Sequence, residues 1–482
     1  MTGTGWSVRE IADAVASRRV SASEVLAAAL ARIDHHNEKL RLVVTVDERA
    51  ERWAREADEA VLRGESVGPL HGVPLTVKDS FSTQGLRTTA GSRALAGNIP
   101  GRDADAVAAL RAAGGIVIAK TNLAENCRDL QAANPLFGAA ANPWDPRYTT
   151  GGSSGGSAGA VAARFCAADL GSDIAGSIRI PAAACGVYGH RPSYGIVPIR
   201  GHHPPYQPIE PDLAVAGPLA STPGDLAALL DILVGPSQAD SPAWRVELPP
   251  ARSVRRVAIW PDDPYCPVDA EIRGALDHVA GVLEADGVPV EQTRPSGIQL
   301  NESDEVARRL LASVALQDYS ATDIAAINLG ARAPVMASAR STSHRATGTG
   351  CRRMPGASGC GRGGSCSSGA STLCYFLSYP LVGLHDARPF AERTVTVNGA
   401  PRPYWDQMVW ANLTSLAGLP TTVVPVRRDS RGLPIGIAVV GPYLEDHTPL
   451  ALAQRLYELL DPFRLPEPAE TARTPAASRP TT

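Results

Sequence analysis

Gly151-Gly152-Ser153-Ser154-Gly155-Gly156-Ser157 and, about twenty residues on, Gly171-Ser172-Asp173-Ile174-Ala175-Gly176-Ser177-Ile178-Arg179-Ile180-Pro181 decide how this 482-residue chain is read. Both clusters lack bulky side chains where hydroxyls and backbone amides crowd together. That composition suits a site in which main-chain N–H groups meet a developing oxyanion beside a serine nucleophile. A phosphate cradle is a rival for the first cluster, but the Walker pattern requires Lys before its Ser or Thr, and position 156 is Gly. A flexible Gly/Ser linker is the bland reading. A linker would not need the closely specified second cluster.

Outward from the clusters, helical and strand-like stretches alternate. Apolar residues recur at helical spacing from Ser7 to Asp34, with Ser21 and Glu24 forming a capping box for a second helix. Leu42 to Val46 reads as a strand, followed by a helix that stops at Gly64. Val73 to Val77 is the next strand; its Pro74 predicts an edge or a strand start, and it delivers Lys78-Asp79 at its end. A helix over Asp105 to Ala113 and a buried strand from Gly115 to Ala119 complete a βαβ-like rhythm. The Ala/Val run from Ser157 to Ala168 predicts a helix, which places the first cluster at a helix N-terminus with amides facing outward. Further strands are expected at Val254 to Trp260 and Ile435 to Val440, and helices at Asp269 to Asp286 and Thr448 to Leu460.

Composition narrows the function class. Hydrophobic residues make up 44% and charged residues 20%, as in a globular protein with a large core. With 46 basic and 49 acidic residues the net charge is -3, so no electrostatic footprint for nucleic acid or an anionic membrane is present. No basic-then-apolar leader opens the chain, and no apolar run reaches the roughly 18 residues of a membrane span, so a cytoplasmic enzyme acting on small molecules is expected. Cys127, Cys166, Cys185 and Cys266 sit among apolar neighbours and read as small core residues. The segment from 337 to 375 is atypical, rich in Gly, Ser, Arg and Cys. Its Cys351, Cys360, Cys366 and Cys374 are separated by 8, 5 and 7 residues, without the close pairs of a zinc site, so no metal is assigned. It reads as an irregular insertion or a local frame shift that replaced a helix and a strand. The Pro/Ala/Thr/Ser-rich tail from 466 to 482 is expected to be disordered.

The two clusters resemble the signature of the amidase signature family of serine hydrolases. The match runs through Gly151 to Ala163, Gly171-Ser172-Asp173 and Gly176 to Ala182, and continues through Cys185 to Gly195, where His190-Arg191 replaces the commoner Leu-Lys. Supporting similarity covers His71 to Asp79, Ala216 to Ala220, Gly432 to Gly436 and Val440-Gly441-Pro442. The resemblance implies a single-body α/β fold over residues 1–465, with a mixed central β-sheet covered on both faces by α-helices. It also implies a Ser-Ser-Lys triad of Ser177 as nucleophile, Ser153 as bridging serine and Lys78 as base, with the amides of Ile174, Ala175, Gly176 and Ser177 forming the oxyanion hole. Ala175 stands where the family usually has Gly, which would strain the hole if that position needs positive φ.

The chemistry of these residues fits those roles. A serine hydroxyl needs a neighbouring base, and lysine serves only when burial leaves it neutral. Standing alone, Lys78 would read as a solvated strand-end charge, and Ser177 as a helix cap. Ser154 reads as a supporting hydrogen-bonding residue or as a plain cap. Asp173 and Arg179 are expected to hold the nucleophile turn as an ion pair. The resulting reading is an amidase that cleaves the C–N bond of a carboxylic amide through an acyl-enzyme, with no cofactor and with a homodimer left open. One alternative is the glutamine-hydrolysing A subunit of a tRNA-dependent amidotransferase, against which Ile180 weighs, since Gln is expected there. A catalytically impaired scaffold of the same fold is the alternative from another class.

Overall fold

The computed structural model describes residues 5–65, 67–203, 211–316, 372–378, 383–461 and 463–467. Among them eleven strands form one sheet: β1 (Val43–Val46), β2 (Pro74–Lys78), β3 (Ile116–Thr121), β4 (Ala168–Asp173), β5 (Tyr188–Arg191), β6 (Val215–Ala220), β7 (Val254–Ile259), β8 (Val290–Gln292), β9 (Thr372–Ser378), β10 (Thr421–Arg428) and β11 (Pro434–Val440). Their spatial order is β1-β3-β2-β4-β6-β5-β10-β11-β9-β7-β8. The sheet is mixed: β3, β2 and β4 run parallel, as do β9, β7 and β8, while the pairings between these two groups are antiparallel. Helices flank it, and their apolar faces join the strands in one continuous buried core that reaches from Val8 to Leu460. This is the α/β architecture expected from the alternating pattern.

Local chemistry accounts for the elements near the site. Helix Ala22–Leu40 begins at the capping box expected from Ser21 and Glu24: the Ser21 side chain accepts from the Glu24 amide, and the Glu24 carboxylate accepts from the Ser21 amide. Strand β2 is buried along its whole length between two parallel neighbours. Of the two placements open to Pro74, the strand start holds and the edge does not, because a first residue can do without its ladder N–H. The helix expected from Ser157 to Ala168 is instead Gly155–Ala162. The alanine run has no stop signal of its own, but Arg164 turns the chain at φ 58° and Ala168 enters the sheet as the first residue of β4. Tertiary pairing overrides helix propensity there.

Close packing explains part of the first glycine cluster. The Gly156 amide donates to the Asn122 carbonyl at 2.9 Å, and a Cβ at position 156 would lie 2.3 Å from Asn122 N and 2.4 Å from Asn122 O. The glycine lets a helix rest directly on backbone. Gly156→Ala is therefore expected to lower stability by about 1–3 kcal/mol, seen as a lower urea midpoint with an unchanged slope. An unchanged midpoint would refute the close approach.

Most of the atypical segment, with Cys351, Cys360 and Cys366, lies outside the described residues, as does the tail from 468 onward. The segment's last residues do not fit the irregular insertion expected there. Positions 372–375 open β9, an interior strand paired with β7 and β11. No helix among the described residues is long and apolar enough to cross a membrane.

Candidate active site

The sheet brings the candidate residues together at the carboxyl ends of two interior strands. Lys78 is the last residue of β2, and β4 beside it ends at Asp173, directly before the turn that carries Ser177. Both therefore leave the carboxyl ends of neighbouring parallel strands, where open α/β sheets place their ligands. Ser153 approaches from the loop before helix Gly155–Ala162 and is joined to Gly152 by a cis peptide bond.

Lys78 is fully buried, with Nζ 2.6 Å from Ser153 Oγ and 2.9 Å from Ser172 Oγ. Burial lowers its pKa, while Cys127, Asp173 and Asp169 push in the opposite direction. A buried amine with hydroxyl partners is the form of lysine able to act as a base. Ser177 is half-buried, and its carbonyl accepts from the Ser154 amide at 3.1 Å. No hydrogen bond joins Ser177 Oγ to Ser153 Oγ among the described residues; such contacts tighten when substrate is bound. Ser154 Oγ donates to the Ser172 carbonyl at 3.2 Å, and Ser154 makes no side-chain cap bond to its helix, so of its two readings the supporting one fits.

The turn itself is held by a buried ion pair. The Arg179 guanidinium donates to Asp173 twice, Nη2 to Oδ1 at 2.7 Å and Nε to Oδ2 at 2.9 Å, and its main-chain amide a third time, to Oδ2 at 3.3 Å. Its remaining N–H groups reach Ala411 O at 2.8 Å, Thr414 Oγ1 at 2.6 Å and Ser415 Oγ at 2.8 Å, all on helix Asp406–Leu416. Burial alone would raise the Asp173 pKa. Arg179, with Arg191 and the Gly176 amide behind it, holds the carboxylate well below the usual range. Arg191 Nε lies 3.8 Å from Asp173 Oδ1, so the Arg of the His190-Arg191 replacement belongs to the electrostatics of this turn.

Two expectations for the oxyanion hole change. Gly176 N–H donates to Asp173 Oδ1 at 2.8 Å and is committed there rather than free for an oxyanion. The amides of Ile174, Ala175 and Ser177 have no acceptor among the described residues. Ala175 does not adopt positive φ; Gly176 does, at 112°, so the replacement of the usual Gly by Ala introduces no strain of that kind.

Several neighbours escaped the sequence reading. Ser172 meets Lys78 across the strand pair, and His202 Nε2 lies 2.8 Å from Ser172 Oγ. Cys127, taken from the sequence as a core residue, is only partly buried and acts on Lys78 electrostatically. Cys166, Cys185 and Cys266 are buried as expected. Lys120 is a second fully buried lysine, donating to Phe81 O, to Thr83 Oγ1 at 2.9 Å and to Thr88 Oγ1 at 3.2 Å, which ties the loop after Lys78 to the sheet. Burial lowers its pKa to about 8. A separate Ser, His and Asp grouping is structural: Ser193 donates its hydroxyl to Asp446 rather than to His190, and all three are fully buried. Among the described residues no His, Cys, Asp or Glu cluster is arranged to hold a metal.

Comparison with known proteins gives the family. The family model described as Amidase matches residues 24–348, more than half of the chain. The A subunit of the glutamyl-tRNA(Gln) amidotransferase of Carboxydothermus hydrogenoformans is 39% identical over 294 residues, covering 59% of this chain and only 60% of that protein's length. The protein of the same name from Thermosynechococcus vestitus is 33% identical over 493 residues, covering 96% of this chain and 99% of the relative. A solved structure described as an amidase superposes with a TM-score of 0.73 at 29% identity, covering 95% of this chain and all of that one. With the signature clusters and the mixed sheet, these matches show that the chain belongs to the amidase signature family, whose members hydrolyse the C–N bonds of amides.

Proposed function

We propose that the chain hydrolyses carboxylic amides by acyl transfer to Ser177. The observation that carries this reading is the buried Lys78 amine 2.6 Å from Ser153 Oγ, at the strand end beside the turn that bears Ser177. Neutral Lys78 takes the Ser153 proton as Ser153 takes that of Ser177, and Ser177 Oγ adds to the amide carbonyl carbon. The amides of Ile174, Ala175 and Ser177 receive the oxyanion. The tetrahedral intermediate collapses, the C–N bond breaks, and the proton returns through Ser153 to the departing ammonia or amine. Water then enters by the same relay and releases the acid.

On the acyl donor, the named relatives favour glutamine, with the chain acting as the A subunit of a tRNA-dependent amidotransferase, over the simple amides expected from the sequence. Ile180 in place of the expected Gln weighs the other way. A fluorophosphonate probe tests the shared chemistry: labelling at Ser177 supports it, and folded protein that stays unlabelled overturns it. Ammonia release from glutamine and from aliphatic, aromatic and amino-acid amides then separates the donors. Glutamine turnover that depends on copurifying subunits supports the amidotransferase reading, whereas turnover of simple amides by the chain alone supports a stand-alone amidase. The mass in solution tells a homodimer from such a complex.

A further inference from the structure

We propose that His202 is a positioning residue for the base: through Ser172 it sets the direction in which the Lys78 amine presents its lone pair to Ser153. The inference rests on the triad reading and adds a residue to it. A neutral amine has one lone pair and two N–H groups. To accept the Ser153 proton, Lys78 must turn the lone pair toward Ser153 and give its N–H groups to other acceptors. Ser172 Oγ, 2.9 Å away, is the neighbouring oxygen that can take one. A serine hydroxyl rotates, however, and an unrestrained Ser172 could aim its own proton at the lysine lone pair and withdraw it from Ser153.

His202 removes that option. Its Nε2 lies 2.8 Å from Ser172 Oγ, and with the ring proton on Nδ1 it accepts the Ser172 hydroxyl proton, leaving the Ser172 oxygen to accept from Lys78. The donation then runs one way, from Lys78 N–H to Ser172 O–H to His202 Nε2. Burial favours the neutral ring this requires, and Lys78, His203 and Lys120 act in the same sense whenever they carry a proton. Phe81 packs edge-on against the ring, with centroids 4.7 Å apart, and fixes its orientation. On the lysine side Cys127, Asp173 and Asp169 complete the titratable surroundings.

The test compares His202→Leu, which removes the acceptor, with His202→Gln, whose Oε1 can accept the same proton. For His202→Leu, kcat is expected to fall on the order of tenfold to a hundredfold with KM little changed. The midpoint of its kcat/KM rise with pH should also move to lower pH, because Ser172 can now donate to, and so stabilise, the neutral amine. His202→Gln should recover most of both. In a Ser172→Ala background, His202→Leu should cost almost nothing further, since no hydroxyl proton remains to be directed. Parental kcat and midpoint in His202→Leu overturn the proposal, as does equal loss in both variants with an unmoved midpoint. Undiminished additivity with Ser172→Ala also overturns it. Fluorophosphonate labelling of Ser177 in the parent keeps the two readings apart: without labelling the triad reading falls and takes this one with it, whereas labelling with a silent His202→Leu removes only the role of His202.

Discussion

Ser177→Ala is expected to lower kcat/KM for amide hydrolysis by about 10,000-fold or more and to leave the melting temperature within about a degree of the parent's. On the proposed mechanism the activity loss follows from removing the atom that bonds to the acyl carbon. On that reading, what survives is the binding and the amides of Ile174, Ala175 and Ser177, which have no acceptor among the described residues and could still polarise a carbonyl but would have nothing to deliver to it. Stability is spared because Ser177 contributes its main chain, not its hydroxyl, to the fold: its carbonyl accepts from Ser154, and its side chain is half-buried without a hydrogen bond among the described residues. Turnover by coupled ammonia release, alongside a thermal melt, checks both halves. A variant retaining a tenth of parental activity would assign the nucleophile elsewhere, and a large fall in melting temperature would mean that the hydroxyl also supports the turn.

The parts of this site that were legible in the sequence are those written locally. The glycine clusters, the strand delivering Lys78 and the Asp173 to Arg179 pair all lie within short windows, where spacing and residue type are enough. Ser172 was in view, inside the second cluster, but its partner is 94 residues away. Only the adjacency of β2 and β4 brings them together, and no periodicity encodes sheet order. His202 is a harder case, since it reaches Ser172 from a loop whose neighbours carry no recognisable pattern. The expectation that Gly176 belongs to the oxyanion hole meets a different limit. Composition can say that amides are crowded at a turn but not which of them a carboxylate has already taken, and Asp173 takes that one. The overlong helix from Ser157 reflects the same limit, because an alanine-rich run ends where the sheet claims the chain.

Lys78→Met should lower kcat/KM by roughly 1,000- to 10,000-fold and abolish the rise of activity with pH. Methionine keeps most of lysine's length and its apolar stem but cannot accept a proton, so Ser153 loses the proposed base 2.6 Å from its hydroxyl. On the proposed relay the neutral amine is the active form in the parent. Burial lowers its pKa, so kcat/KM should climb tenfold per pH unit and level off at a pH below the ordinary lysine value. The stability consequence has a definite sign. A lysine whose folded pKa is depressed holds fewer protons when folded than when unfolded, between the two pKa values, so folding is favoured as pH rises through that window. Below it the full penalty of burying the charge remains, and above it the penalty is gone. The stability of Lys78→Met relative to the parent should therefore be more favourable near neutral pH than at pH values above the ordinary lysine range, read as urea midpoints at the two extremes. Both proteins losing activity in parallel as pH falls would show that a different group carries the titration. An unchanging stability difference would mean that Lys78 keeps an ordinary pKa in the folded chain and could not serve as the base.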